Sequence, residues 1–304
     1  VDTITTLLVV SIPLMAPLLW ALLGEIVSER SGVLNVGIEG AVLLGAWGTA
    51  VGYSQTGNPF IGVFTGAAVG LATGGVLAIL YVWRGIDQVV GGVVVNLLAV
   101  GLTTALWATF QGKEPVSNAP RLAIPILSDI PIIGQALFNQ NALVYAAIVA
   151  APLLLLLLDR TTWGLRVKAA GEAPAALDSA GISVPQVRTI ALVIGTTLGA
   201  LGGATIVLTS ASGGFVTNMS AGTGYIALAI VILVRWRPLL GLVTALAFGV
   251  LQALQYQVQS IPLLAGIPTE LILALPYLAA IIVVALSRSA RYPAATGVAW
   301  QRGG

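Results

Sequence analysis

The fold class this sequence predicts is an all-α, polytopic integral membrane bundle of about nine transmembrane spans, and three observations predict it. Of 304 residues, 58% are hydrophobic and 8% charged, against about 25% charged in an ordinary soluble domain. Mean hydropathy is +1.00. Apolar runs of roughly 18–25 residues recur along the chain, each long enough to cross a bilayer as a helix. The runs are continuous, whereas a membrane β-barrel would show segments of about ten residues with alternating polarity. Residues 1–304 therefore read as a single transmembrane domain without an appended soluble one.

The spans fall at about 4–23, 33–53, 60–83, 93–110, 142–158, 189–209, 223–234, 239–259 and 270–287. The first lacks a basic leader, Asp2 being the only charge before Glu25, so it reads as a retained helix and not a signal peptide. The seventh is short for a full crossing and fits a broken or tilted helix. On this layout Arg30, Arg84, Arg160, Arg166, Lys168, Arg188, Arg235, Arg237, Arg288, Arg291 and Arg302 share one side, and only Lys113 and Arg121 the other. That asymmetry makes the first side cytoplasmic, with the N-terminus outside and the C-terminus inside. The outside loop 111–141 carries Pro115, Pro120, Pro125 and Pro131, too much punctuation for a long helix. A second outside loop, 210–223, is uncharged and rich in Gly and Ser.

Glycines at Gly62, Gly66, Gly70 and Gly74, and again at Gly195, Gly199 and Gly203, repeat every fourth residue. Small residues at that spacing let helix backbones approach closely in lipid, so they signal packing.

Chemistry is narrowed by what is missing. The sequence has no Cys and no His, which excludes thiol catalysis, disulfides, His or Cys zinc sites and imidazole proton relays. Gly112-Lys113 is followed by Glu114, so no phosphate-binding G-x-x-x-x-G-K-[ST] loop exists. The spans hold no mid-membrane acid–base ladder of the kind ion-coupled pumps use. No catalytic, cofactor or metal residues are assigned; energy for any transport enters from elsewhere. A stand-alone transporter or channel is the first rival class, and an integral-membrane enzyme the second, though no interfacial Asp, Glu or His cluster is visible.

Polar residues inside the spans are candidates for a solute path, because they are costly in hydrocarbon. Asn35 and Glu39 lie four apart, on one helix face, beside Gly37 and Gly40. Either they mark a bent segment on the path, or Glu39 is an interfacial acid, hydrated or paired with Arg30; both readings stand. In span eight Gln252, Gln255, Tyr256 and Gln259 form one stripe able to hydrogen-bond a neutral polar solute, a reading preferred to interhelical bonding. In span four Asn96 shares a stripe with Thr103 and Trp107, whose outer aromatic favours an interface anchor; Asn96 is kept as that span's path candidate.

Between spans five and six lies a charged island, 159–188, holding four of the thirteen basic residues. Inside it Pro174 suits a first helical position, Ala175, Ala176 and Leu177 an Ala-rich turn, and Gly181 a stop. An ordered polar segment in an otherwise apolar chain suggests docking to something soluble.

Three stretches carry a resemblance: 24–40 (GEIVSERSGVLNVGIEG), 164–182 (GLRVKAAGEAPAALDSAGI) and 221–238 (AGTGYIALAIVILVRWRP). They are similar to permease subunits of bacterial ABC importers, in the branch grouped with ribose and branched-chain amino acid permeases, and most resemble the second permease of nucleoside or simple-sugar importers. The likeness spans nearly the whole chain. It implies a multi-pass subunit of the bacterial cytoplasmic membrane, partnered by a second homologous permease, cytoplasmic ATP-binding subunits that carry ATP and Mg, and an extracytoplasmic solute-binding protein, with no nucleic acid. It implies a small polar solute, nucleosides first, with monosaccharides, branched-chain amino acids or a flavin-like solute as alternatives. By it the island is the cytoplasmic coupling helix, with Gly171, Glu172, Pro174, Ala176 and Gly181 matching the family pattern. Relatives commonly carry Asn between the Glu and the Pro; Ala173 stands there and removes the usual cap.

Overall fold

The computed structural model describes residues 2–131, 133–210, 214–257, 271, 274–286 and 292–300. Six of the predicted spans are helices long and apolar enough to cross a membrane. They are α1 (Asp2–Arg30), α3 (Pro59–Ala78, prolonged by a π turn Ile79–Trp83), α4 (Gln88–Phe110), α6 (Ala142–Arg160), α9 (Val184–Thr209) and α11 (Pro238–Gln257). The other three are α2 (Ile38–Thr56), the short α10 (Thr223–Leu233) and α12 (Leu275–Leu286). Among the described residues the nine predicted spans are therefore six helices of crossing length and three shorter or more polar ones packed among them.

Local chemistry starts these helices. Asn58 accepts the Phe60 N–H ahead of Pro59 at the first turn of α3; Asp87 accepts from Val89 and Val90 to cap α4; Asn141 caps α6 through Val144. Each side chain takes up N–H groups that a helix start leaves without a partner.

α1 is the central pillar, buried from Ser11 to Glu29 apart from Pro13 and Leu14. It runs against α9, where Gly24 and Gly195 bring the two backbones into contact. Along α3, Gly62 and Gly66 lie on α2 at Thr49 and Gly45, while Gly70 and Gly74 lie on α9 at Ala200 and Val193. The glycine period is thus the seam that joins three helices, since a Cβ there would strike the neighbouring chain. α4 buries Val95, Asn96, Ala99 and Thr103 and turns Val90, Val94, Leu97 and Leu98 outward, an apolar face suited to lipid.

Two details depart from the sequence reading. The 111–141 loop holds a two-stranded antiparallel pair, β1 (Arg121–Ala123) against β2 (Asn139–Asn141), and a short α5 (Ile133–Phe138), so the fold is not purely helical. In addition, α1 continues seven residues past the predicted end at 23, and carries Glu25 and Glu29 into the bundle fully buried. Glu29 is held by the Trp236 indole N–H at 2.5 Å.

Candidate functional site

α10 is 11 residues long, about 16 Å at 1.5 Å per residue. Its far end meets the end of α1, where Arg30 donates to the Trp236 carbonyl at 3.2 Å. Its first turn therefore lies roughly halfway through the bundle. The chain reaches that point through 214–222, and Phe215 and Ser220 are buried on the way. Its described residues 214–222 fold back into the bundle, where the sequence reads an outside loop.

A half-helix start needs an acceptor for its free N–H groups. Glu39, at the start of α2, supplies it. One carboxylate oxygen accepts from the Ser220 hydroxyl at 2.6 Å and the Gly222 N–H at 2.9 Å, and the other from the Gly224 N–H at 2.7 Å. Gly222 has φ +78°, the left-handed conformation that costs glycine nothing and aims its N–H at the carboxylate. The negative charge sits at the positive end of the helix. Pairing of Glu39 with Arg30 is thereby overturned.

Asn96 is equally committed. Its oxygen accepts the Gly40 N–H at 2.7 Å, and its amide donates to the Val36 carbonyl at 2.8 Å and the Tyr225 hydroxyl at 3.0 Å. Asn35 donates to Thr196 at 3.3 Å. Asn35, Glu39 and Asn96 thus tie α2, α4, α9 and α10 together behind the cavity, and none of them lines it.

That cavity, of about 570 Å³, opens beside the first turn of α10. Gln252, Gln255 and Tyr256 of α11 line it, facing Ser220, Ala221 and Thr223. α1 adds Pro13 and Pro17, and α12 adds Tyr277, whose hydroxyl donates to the Ala221 carbonyl at 2.8 Å. No charged side chain among the described residues lines it. The sequence stripe found one wall; the opposite wall was missed because 210–223 reads as a connection, and only its lack of charge hinted otherwise. Gln259 lies outside the described residues.

The island folds as two helices, α7 (Thr162–Glu172) and α8 (Pro174–Ser179). Thr161 caps α7 through the Gly164 N–H at 3.1 Å, and the chain breaks at Ala173 (φ −145°, ψ 67°). Pro174 opens α8, and no side chain caps it. Gly181, at φ +78°, closes it: the Gly181 N–H reaches the Asp178 carbonyl at 2.9 Å and the Ile182 N–H reaches Leu177 at 3.2 Å, a Schellman ending. Ala176 lies within α8. Gly171 has no room for a side chain, because its α-carbon rests on the Arg30 carbonyl and Gly32. Glu172 accepts the Ala294 N–H at 3.4 Å, so its carboxylate does not serve the start of α8.

A half-helix capped in mid-bundle, an uncharged cavity and a separate polar helix pair suit a membrane permease, and the family match shows that class. Residues 4–285 match the family described as branched-chain amino acid transport system / permease component, and the chain belongs to that family. It is 39% identical over 250 residues (81% of this chain, 75% of the relative) to a protein of Haloferax volcanii provisionally named a glucose ABC transporter permease. It is 34% identical over 280 residues (89% and 88%) to the nucleoside ABC transporter permease NupC of Lactococcus lactis. The guanosine ABC transporter permease NupQ of Bacillus subtilis matches at 34% over 307 residues (95% and 94%). No solved structure matches the chain.

Proposed function

We propose that this chain is the translocating subunit of an ATP-driven nucleoside importer in a bacterial cytoplasmic membrane. The observation that carries the reading is the cavity beside α10, within the roughly 300–1,000 Å³ range of small-molecule sites. Its lining is mostly apolar, with the amides of Gln252 and Gln255, the hydroxyls of Ser220 and Thr223, two tyrosine rings and no charged side chain among the described residues, which suits a neutral solute with an aromatic base and a hydroxylated sugar. Gln252, Gln255 and Tyr256 contact the solute, while Glu39 and Asn96 fix the opposite wall. The chain also resembles a second permease of Lactococcus lactis, NupB, at 24% identity, lower than the 34% to NupC. That difference supports a pair of unlike permeases, with separate ATP-binding subunits carrying ATP and Mg and an extracytoplasmic binding protein delivering solute. A hexose is the second reading, favoured by the 39% identity to the glucose-type relative.

Reconstitution of the chain with its partner permease, ATPases and binding protein tests this. Uptake of labelled guanosine should require ATP and be competed by other nucleosides, not by glucose or leucine in equal excess. Competition by glucose alone would move the assignment to hexoses. Uptake by the permeases without ATPase would overturn the importer reading.

A further inference from the structure

Residues 292–300 form a strap without regular secondary structure, yet almost every turn of it is tied to a different part of the molecule. The Tyr292 ring stacks edge-on against Trp236, with centroids 5.3 Å apart. The Ala294 N–H meets the Glu172 carboxylate at 3.4 Å, the Ala295 N–H the Gly171 carbonyl at 2.8 Å, and the Gly297 N–H the Gly32 carbonyl at 3.1 Å. The strap thus bridges the turn between α7 and α8 and the connection between α1 and α2.

Arg188, near the start of α9, fastens the same junction from inside. It is 2% exposed. Its guanidinium donates to the Val298 carbonyl at 2.7 Å, to Ala170 at 3.2 Å and to Ala295 at 3.4 Å. Among the described residues no carboxylate lies within ion-pair distance of it. A buried cation without a counter-ion is a poor way to gain stability, because desolvation outweighs what it recovers. A planar fork of donors is, however, a good way to hold carbonyls from separate segments in one geometry. Here those carbonyls belong to α7 and to the strap.

The position of this clamp matters for transmission. Gly171 rests directly on Arg30 and Gly32. From Gly32 the chain runs seven residues to Glu39, which holds the first turn of α10 and with it one wall of the cavity. Without the clamp, a push on α8 could be absorbed by swinging at the break at Ala173. With it, the α7–α8 turn, Gly32 and the base of α9 move as one body.

We propose that Arg188 is a positioning residue for energy coupling: through the strap 292–300 it fixes the α7–α8 turn to Gly32, so that displacement of α8 reaches the Glu39–α10 junction. The inference rests on the reading of 159–188 as the ATPase-coupling segment. The test uses the full assembled transporter carrying wild-type chain, Arg188→Lys, Arg188→Gln or Ala295→Pro. Ala295→Pro deletes the N–H that Gly171 accepts and unsettles the strap outside the membrane helices. Three quantities are measured at equal permease abundance: ATPase retained, hydrolysis rate, and guanosine moved per ATP. ATPase retention should hold, while solute moved per ATP falls about tenfold in Arg188→Gln and Ala295→Pro, the size of a typical coupling between two sites. Arg188→Lys should recover part of it. Should Arg188→Gln fail to accumulate, Ala295→Pro decides alone. An unchanged ratio in the accumulating variants overturns the inference, as does a loss of ATPase with the ratio preserved, which would make the strap a docking surface only. A wild-type chain that retains no ATPase would remove the coupling assignment itself, and this inference with it.

Discussion

Glu39 occupies the place that a bound anion would otherwise take at the start of α10, and its three acceptor bonds are all to that one turn. Glu39→Gln keeps the shape but loses the charge and turns one acceptor into a donor facing an N–H. A hydrogen bond to a buried charge contributes about 1.5–3 kcal/mol. The variant should therefore lower the thermal stability of the purified complex as well as its uptake. Gln252→Leu, on the cavity wall, should behave differently, raising the apparent KM for solute about fivefold, the worth of a roughly 1 kcal/mol hydrogen bond, with the melting temperature unmoved. Equal destabilisation by both would make the glutamine part of the packing. The two residues look alike in sequence, as polar groups in apolar spans. Their separation into scaffold and cavity wall depends on Ser220 and Gly224, some 180 residues further on, which no local pattern connects to Glu39.

At the scale of elements, α8 was legible and α10 only half so. Pro174 and Gly181 act through their own backbone angles, so their meaning is local and survives without tertiary knowledge. α7 was missed because its buried face, Gly164, Val167, Ala170 and Gly171, recurs at helical spacing but is built of small residues that carry little hydrophobic signal. α10 appeared as a short apolar run, while the cap that makes it a half-helix comes from another helix. Ala173 ends α7 and begins α8 at once, with ψ 67° in place of the extended value of an ordinary cap. Asn at 173 should firm α8 by about 0.5 kcal/mol, the low end for such caps, and leave ATPase association intact. Gly181→Val should weaken association, because a β-branched residue resists φ +78° by about 1–2 kcal/mol. Nothing lies within 4 Å of a Cβ placed there, so any loss reports backbone strain and not a clash. Gly181→Asn, which tolerates the left-handed region, should retain binding. Co-purification of ATPase at equal permease abundance reads all three, and unchanged association in Gly181→Val would remove α8 from the docking surface.

At the scale of the whole molecule, the cations among the described residues are sorted by end. Arg30 and Arg237 line one recess with Asp159, Arg188 is bound into the strap, and Gly85, beside Arg84, lies against Ala299. At the opposite end the loop holding Lys113 and Arg121 is pinned to α2 and α9: the Glu114 N–H bonds the Ser54 carbonyl and the Ala119 N–H bonds Leu208. A basic end stays in the cytoplasm during insertion. A reporter fused after Arg291 should therefore be active only in the cytoplasm, and a tag inserted at Asn118 should be labelled by an impermeant reagent in intact cells. For the proposed importer, the reverse orientation would turn α8, the strap and the Arg188 clamp away from the compartment that holds ATP, and would open the cavity toward the wrong face for uptake. Finding both markers on one side would break the span order, and finding them exchanged would make the basic end extracytoplasmic and leave α8 with nothing to receive.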